Sequence, residues 1–194
     1  MGKRQPDDSR ATRLGRARGS TVEAVVRAVV VRRESGRLGV LAADGVRAIG
    51  VSNFLQEHLD TLLAETTTVP AVNQFELHPT FQQAALSAKT RAHGIAVEAY
   101  SPLGRGTDLN AEAVTTLAQT HGATPAQIVL GWHLGVGNIV IPKSVNAHRL
   151  RENLAASEVT LSQDELDAIT ALESGVPIAP DPAEAAFTQM YSSG

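Results

Sequence analysis

The sequence predicts an α/β fold with a parallel β-sheet, and three observations support this prediction. From Gly45 onward, short apolar strands alternate with amphipathic helices, and the alternation occurs four times. The strands are rich in Val and Ile and nearly continuous in apolar character, which is typical of strands buried on both faces. The helix that follows each strand supplies the crossover connection that parallel pairing requires.

The four strand–helix units follow one another along the chain. The predicted strands are VRAIGVSN (46–53), AVNQFEL (71–77), IAVEAYS (95–101) and NIVIPKS (138–144). The helices that follow them are LQEHLDTLLAE, FQQAALSAKTRAHG, AEAVTTLAQTHG and AHRLRENLAAS. An extra helix, TPAQIVLGWHLG, precedes the fourth strand, with Thr124 placed to cap it and Pro125 in its first turn. A last helix begins at LSQDELDAITALES, where Ser162 and Glu165 have the spacing of a capping box.

The N-terminal 37 residues differ in composition from the rest of the chain. They contain ten Lys and Arg against four Asp and Glu, whereas residues 38–194 contain seven against sixteen. Residues 1–20 have no apolar periodicity and are predicted to be disordered. Residues 21–31 are apolar enough for a strand or a short helix, and the pattern does not separate the two. We therefore divide the chain into a basic segment at 1–37, disordered or unrelated to the rest, and an α/β region at 38–194.

The composition also excludes several kinds of site and partner. The chain has no cysteine, so disulfides, thiolate zinc sites and cysteine nucleophiles are excluded. Its six histidines include no pair at metal-ligand spacing, so we expect no metal. The basic segment has no aromatic residue to stack on bases, so we expect no nucleic-acid partner. Without an apparent signal peptide or a long apolar run, we expect a cytoplasmic protein with no membrane contact.

Polar and aromatic side chains follow the predicted strands, at the edge where ligands bind in parallel α/β folds. Amide and hydroxyl groups at two strand ends suit a carboxamide, and a tyrosine at the third suits a flat ring. Cationic groups near a helix N-terminus at the fourth suit a phosphate. Together they match a nicotinamide dinucleotide with a 2′-phosphate. The residues are Ser52, Asn53, Asn73, Gln74, His78, Tyr100, Ser101, Leu103, Lys143, Ser144, Arg149 and Asn153.

Each of these residues also has a structural interpretation. Ser52 or Ser144 could cap a helix, and Asn73 could satisfy backbone groups at a strand edge. Arg149 could lie on a solvated face, and Tyr100 could belong to the core. We favour a binding site because the residues share one location, the ends of four consecutive strands.

Several stretches of the chain resemble the second half of aldo-keto reductases, in particular bacterial members similar to 2,5-diketo-D-gluconate reductase. The matching stretches within 45–174 are VRAIGVSNF, VNQFELHP, AYSPLGRG, TPAQIVLGWHL and IPKSVNAHRLRENL, and IAPDPAEAAF resembles the closing loop. The resemblance implies a partial TIM (β/α)8 barrel, consisting of the last four β/α units and extra helices. It also implies NADP(H) bound in extended form without a Rossmann domain, in agreement with the absence of G-x-G-x-x-G.

The resemblance further implies a role for each candidate residue. The implied contacts are Ser52, Asn53 and Gln74 with the nicotinamide carboxamide, Tyr100 with its ring, Ser101 and Leu103 with the pyrophosphate, Lys143, Ser144 and Arg149 with the 2′-phosphate, and Asn153 with the adenine. The implied reaction is NADP(H)-dependent reduction of small aldehydes or ketones to alcohols.

The catalytic residues that the resemblance implies are not encoded in this chain. In the family a tyrosine donates the proton and is tuned by an Asp, a Lys and a His, all located before the strand that VRAIGVSN resembles. This chain has no Tyr before Tyr100, no His before His58, and no Lys before Lys89 other than Lys3. Removing a general acid costs about 10²–10⁴ in rate. We therefore expect an N-terminally truncated reductase with no catalytic residue of its own.

Two alternative functions remain open, a non-catalytic NADP(H)-binding half-barrel and a non-functional fragment. Tyr100, His78 and His133 could in principle replace the missing acid, but Tyr100 is assigned to the nicotinamide and both histidines resemble structural residues. Four strands would leave unpaired edges, which favour self-association. The segment 21–31 could cover one edge, or two copies could close a barrel as a symmetric dimer.

Overall fold

The computed structural model describes residues 28–31 and 48–179, which contain a five-stranded parallel sheet. Each strand pairs with the strand that precedes it in the chain, so the order in the sheet is the order in the sequence. The strands are β1 (Ala28–Val31), β2 (Ala48–Ser52), β3 (Val72–Glu76), β4 (Ala96–Tyr100) and β5 (Ile139–Val140).

The helices alternate with the strands from β2 onward, as the sequence predicts. The α-helices are α1 (Gln56–Glu65), α2 (Ala84–Ala92), α3 (Glu112–His121), α4 (Pro125–Gly135), α5 (Ala147–Ala155) and α6 (Gln163–Thr170). Short 3-10 turns occupy Gly104–Gly106, Asp108–Asn110 and Ala156–Glu158. The predicted α/β class, four strand–helix units and extra helices are therefore confirmed.

The structure answers the question that the sequence left open for residues 21–31 in the part that it describes, residues 28–31. Ala28–Val31 forms β1 and pairs in parallel with Ala48–Val51, so it covers the β2 edge of the sheet. The proposed boundary at residue 37 and the stretch that resembles the closing loop from residue 180 onward lie outside the described residues.

One face of the sheet carries the hydrophobic core. Val51, Phe75 and Val97 alternate along their strands and are buried against the helices, with Ile128 and Trp132 of α4. Burying a side chain of this size stabilises the fold by about 1.5–3 kcal/mol. The indole Nε1 of Trp132 donates a 3.0 Å hydrogen bond to Thr170 Oγ1, which joins α4 to α6.

The opposite face carries polar side chains and is only partly covered. Strand register places Ser52, Gln74, Glu98 and Ile139 in one row across β2 to β5. Ile139 at the end of this row is 44% exposed, whereas Phe75 on the core face is 1% exposed. The face that carries the candidate residues is therefore open to solvent toward β5.

The helix caps agree with the predictions from sequence. Thr124 Oγ1 accepts a hydrogen bond from Gln127 N at the start of α4, with Pro125 in the first turn. Ser162 and Glu165 form the predicted capping box of α6. No helix among residues 48–179 is long and apolar enough to cross a bilayer.

Candidate cofactor site

The residues predicted to hold a carboxamide meet at the ends of β2 and β3. Ser52 is the register partner of Gln74, so their side chains lie on the same face of the sheet. The next residue, Asn53, turns the chain with a φ of 57° and donates its backbone N–H to the Gln74 carbonyl at 2.8 Å. Two side-chain amides and a hydroxyl therefore converge on one corner, and all three residues are half-buried.

Glu98 of β4 also belongs to this corner, although it is not among the predicted site residues. Gln74 Nε2 donates a short hydrogen bond to Glu98 Oε1, and the two residues are register partners. The bond orients the Gln74 amide so that its carbonyl oxygen remains available as an acceptor. A sequence signal existed for Glu98, because it is the charged residue of an otherwise apolar stretch, residues 96–99.

The residues predicted to meet the ring and the pyrophosphate follow β4. Tyr100 is its last residue, and burial together with the negative charge of Glu76 raises the pKa of the Tyr100 hydroxyl. Ser101 has a φ of 51°, and its carbonyl accepts a hydrogen bond from Gly104 N at 2.9 Å. This turn places Leu103 in a loop that leaves the sheet directly after Tyr100.

The residues predicted to meet a 2′-phosphate lie between β5 and α5. Asn146 caps α5 by accepting hydrogen bonds from His148 N and Arg149 N, and Ser144 Oγ accepts one from Asn146 N. Arg149 is therefore in the first turn of the helix, and Asn153 is four residues further along the same helix.

The side chains of Lys143 and Arg149 have no counter-charge among the described residues. Lys143 and Arg149 are exposed, and neither side chain has a hydrogen bond or ion pair with another described residue. By contrast, Lys89 forms an ion pair with Asp60, and Arg91 binds Asn138 Oδ1 and the Val136 carbonyl. Two unpaired cations beside a helix N-terminus form a donor set that suits a dianionic phosphate.

The residues predicted to meet the carboxamide, the ring and pyrophosphate, and the 2′-phosphate occupy neighbouring positions along one edge of the sheet. They follow the carboxyl ends of β2 and β3, of β4, and of β5, and these strands are adjacent. The structure thus brings together strand-end residues that lie up to about a hundred positions apart in the sequence, as expected for parallel strands. Asn73 does not belong to the set: it is fully buried, and its Nδ2 donates to the Phe54 carbonyl at 2.9 Å.

A buried polar cluster lies beside the end of β3, and the sequence did not predict the contacts among its members. His78 Nδ1 is 3.0 Å from Asp108 Oδ2 and His78 Nε2 is 3.3 Å from Glu76 Oε1. Thr80 Oγ1 donates to Asp108 Oδ1 at 2.8 Å. Burial would raise the pKa of Asp108, but the hydrogen bonds from His78 and Thr80 hold it below its ordinary value. Asp108 lies 30 residues from His78, so no local pattern indicated the contact.

His133 is a neutral residue of the core. It is fully buried on α4, its Nε2–H donates to the Pro102 carbonyl at 2.9 Å, and its Nδ1 accepts from Asn138 Nδ2 at 3.1 Å. Burial lowers the pKa of His133 to about 4. The His133 side chain therefore holds the loop after β4 in place through its hydrogen bond to the Pro102 carbonyl.

The comparison with known protein families identifies the chain. The model of the Aldo/keto reductase family matches residues 41–174. The chain belongs to the aldo/keto reductase family. Relatives include an aldo-keto reductase of Mycolicibacterium smegmatis, 49% identical over 143 residues, and morphine 6-dehydrogenase of Pseudomonas putida, 43% identical over 156 residues. These matches cover 74% of this chain and 52% and 53% of the respective relatives. The chain thus spans about half the length of the curated aldo/keto reductases that it matches.

Solved structures show the same relationship. A mutant of Gox0644 in complex with NADPH is 46% identical, with a TM-score of 0.70, over 73% of this chain and 53% of that one. A silkworm aldo-keto reductase complexed with NADPH is 31% identical, with a TM-score of 0.65, over 70% of this chain and 45% of that one. The predicted fold class, part of the barrel of the aldo/keto reductases, is confirmed.

Proposed function

We propose that this chain provides the cofactor-binding half of an NADP(H)-dependent aldo/keto reductase. The observation that carries the proposal is that the residues predicted to meet the carboxamide, the ring and pyrophosphate, and the 2′-phosphate lie along one sheet edge. This edge ends at Lys143 and Arg149, whose side chains have no partner among the described residues. NADPH is present in solved structures that resemble the chain, including one at 46% identity.

The proposed assignment distributes the cofactor along the sheet edge. The amide groups of Asn53 and Gln74, with the Ser52 hydroxyl, hold the carboxamide, and the Tyr100 ring lies against the nicotinamide. The loop with Ser101 and Leu103 contacts the pyrophosphate. Lys143, Ser144 and Arg149 hold the 2′-phosphate, and Asn153 contacts the adenine. Bound NADPH would supply the hydride that reduces a carbonyl to an alcohol.

The donor set predicts a preference for the phosphorylated cofactor. Fluorescence titration should show that NADPH binds more tightly than NADH. Arg149→Ala should weaken NADPH binding by roughly tenfold to a hundredfold, because a hydrogen bond to a charged group contributes about 1.5–3 kcal/mol. It should leave NADH binding unchanged.

Arg151→Ala is the matched control for this titration, because Arg151 is also exposed and lies two positions further along α5. We expect it to bind NADPH as the wild type does. Equal affinity for the two cofactors, or equal losses in the two variants, would contradict the proposed 2′-phosphate site.

We also propose that the chain alone does not reduce carbonyls, because the catalytic Asp, Tyr, Lys and His that the family resemblance implies are not encoded. Purified chain should bind NADPH but should not oxidise it in the presence of aldehydes or ketones. This outcome would assign it as a non-catalytic NADP(H)-binding half-barrel. Steady turnover by homogeneous chain would overturn this proposal and show that the chain supplies an acid of its own. A chain without a cooperative thermal melt would instead be a non-functional fragment.

Self-association is the proposed consequence of the open β5 side. Leu150 and Leu154 lie four residues apart on α5 and are 49% and 78% exposed, and Ile139 and Ile141 of the neighbouring strand region are also exposed. Sedimentation velocity should show a dimer that Leu154→Glu disrupts. Glu158→Gln, on an exposed residue just beyond α5, is the control and should keep the dimer. A monomeric wild-type chain at high concentration would refute this proposal.

A further inference from the structure

A short segment after α6 is bound to the end of β3. We call residues 174–179 the C-terminal strap. The Ser174 backbone N–H and hydroxyl both donate to the Thr80 carbonyl, at 3.0 and 2.8 Å. At its other end, Ile178 N donates to Glu76 Oε1 at 2.8 Å, and Ala179 N lies 3.1 Å from both Glu76 oxygens. The Glu76 carboxylate is therefore the anchor of the last two strap residues.

Glu76 is an unusual anchor because it is a buried carboxylate. It is 4% exposed, and a buried charge is costly unless a partner neutralises it. The cation beside it is His78, whose Nε2 lies 3.3 Å from Glu76 Oε1 and whose side chain is fully buried. No Lys or Arg of the described residues forms an ion pair with Glu76, so among them His78 is the group that can neutralise the anchor when it is protonated.

The surroundings of His78 decide which of its two nitrogens loses a proton first. Nδ1 faces Asp108 Oδ2 at 3.0 Å and Thr80 Oγ1 at 3.1 Å, and Thr80 uses its own proton to bond Asp108. Nδ1 therefore faces two acceptors and keeps its proton in the neutral ring. Deprotonation removes the proton from Nε2, and a nitrogen lone pair then faces the Glu76 carboxylate.

We propose that protonated His78 is a positioning residue that holds the C-terminal strap on Glu76, and that loss of its Nε2 proton releases residues 178–179. The ionisable groups around His78 are Glu76 on its own segment, Asp108 from the loop after β4, and His133 from α4. Burial opposes protonation of His78, but hydrogen bonds and charge from Asp108 and Glu76 outweigh it and raise its pKa above 6.5.

The raised pKa of His78 means that the strap should be held more weakly as the pH increases. Since the pKa of His78 is higher in the folded chain than its ordinary value of 6.5, protonation holds the strap fully below pH 6.5. The stabilisation is lost as the pH rises through the folded pKa. Glu76 is also the register partner of Tyr100, so the strap lies beside the proposed nicotinamide ring. Only this last consequence for the cofactor rests on the proposed function.

Hydrogen exchange of the chain without cofactor tests the proposal. Protection factors, which correct for the intrinsic pH dependence of exchange, are measured from about pH 6 to about pH 9, where histidines with raised pKa values titrate. Protection of Ile178 and Ala179 should fall on the order of tenfold, as expected for the loss of a charge-assisted interaction. Protection of Gly104 and Gly106, in the loop after β4, should stay constant because Asp108 keeps its bond from Nδ1.

Variants separate His78 from general effects of pH. In Glu76→Gln the amide oxygen still accepts from the strap, but no buried charge needs His78, so protection should not depend on pH. In His78→Gln protection of the strap should be low at every pH. The control His121→Gln removes an exposed His–Glu contact between α3 and α6 and should behave like the wild type.

Strap protection that is constant with pH in the wild type would overturn the proposal, and so would an unchanged pH dependence in Glu76→Gln. These two measurements decide the matter even if His78→Gln does not fold. Failure of the cofactor proposal gives a different result: the strap responds to pH, but NADPH does not bind. If NADPH binds and the strap does not respond, only the strap proposal fails.

Discussion

The backbone N–H of Asn53 donates a 2.8 Å hydrogen bond to the carbonyl of Gln74, which ties the turn after β2 to β3. Asn53 makes this bond with a φ of 57°, a left-handed conformation that Asn tolerates better than most residues. Asn53 thus has two roles, since its backbone must adopt the left-handed conformation and its side chain is the proposed contact with the carboxamide. Two substitutions can distinguish these roles.

Asn53→Gly should retain the stability of the wild type but weaken NADPH binding, because glycine adopts the left-handed conformation and lacks the amide. Asn53→Ala should also lose about 1 kcal/mol of unfolding free energy, because alanine is strained there. Urea denaturation and fluorescence titration measure the two effects. A glycine variant with unchanged NADPH affinity would remove Asn53 from the proposed site.

Gly104→Ala should destabilise the chain by more than about 2 kcal/mol, through a clash and an unfavourable left-handed backbone. An added Cβ would lie 2.6 Å from the buried carboxylate of Asp108, and the φ of Gly104 is 56°. Gly122→Ala isolates the backbone contribution, because the φ of Gly122 is 60°, close to that of Gly104, and nothing lies within 4 Å of an added Cβ. Urea denaturation should rank Gly104→Ala as clearly more damaging; equal losses would argue against the clash.

His133 should make the fold sensitive to acid. Its folded pKa is about 4 and its ordinary value is 6.5, so the unfolded chain binds the proton first as the pH falls. The resulting loss of unfolding free energy begins near pH 6.5, is complete below about pH 4, and amounts to roughly 3 kcal/mol. Denaturation of the wild type and His133→Gln at a series of pH values isolates this contribution. The variant should lose less stability on acidification, and parallel profiles would show that His133 does not titrate on unfolding.

Thr124→Ala should lower the unfolding free energy by about 1 kcal/mol, because it removes the side-chain cap of α4. The exposed Thr116 in the middle of α3 provides the control, since Thr116→Ala improves helix propensity and removes no cap. Thermal or urea denaturation should therefore shift in opposite directions for the two variants. A shift in the same direction would mean that the cap contributes little.

Local patterns in the sequence were sufficient for the helices and most strands. The caps at Thr124 and Ser162 depend on neighbours three residues away, and the structure contains both. The strand at Ala28–Val31 could not be separated from a helix, because its apolar run has no clear period. Its strand conformation comes from pairing with Ala48–Val51, a tertiary contact that no local window contains.

The candidate site shows the same division. The positions of Tyr100 and Arg149 after successive parallel strands followed from the α/β pattern alone. The hydrogen bonds that orient the side chains could not be predicted from this pattern. Gln74 binds Glu98 on the neighbouring strand, and His78 binds Asp108 in a separate loop. Such contacts depend on register and loop path. His78 was therefore recognised as a structural residue at a strand end, but its carboxylate partners were not.

The sheet of this chain also has a consequence for how the protein is made. Because the strands of the described sheet pair in the order of the sequence, a nascent chain leaving the ribosome can add each new strand to the one that precedes it. The connections between successive strands contain the crossover helices, but their length adds little cost, because each doubling of a loop raises the closure entropy by only about 0.6 kcal/mol. Vectorial synthesis from the N-terminus is thus well matched to this architecture.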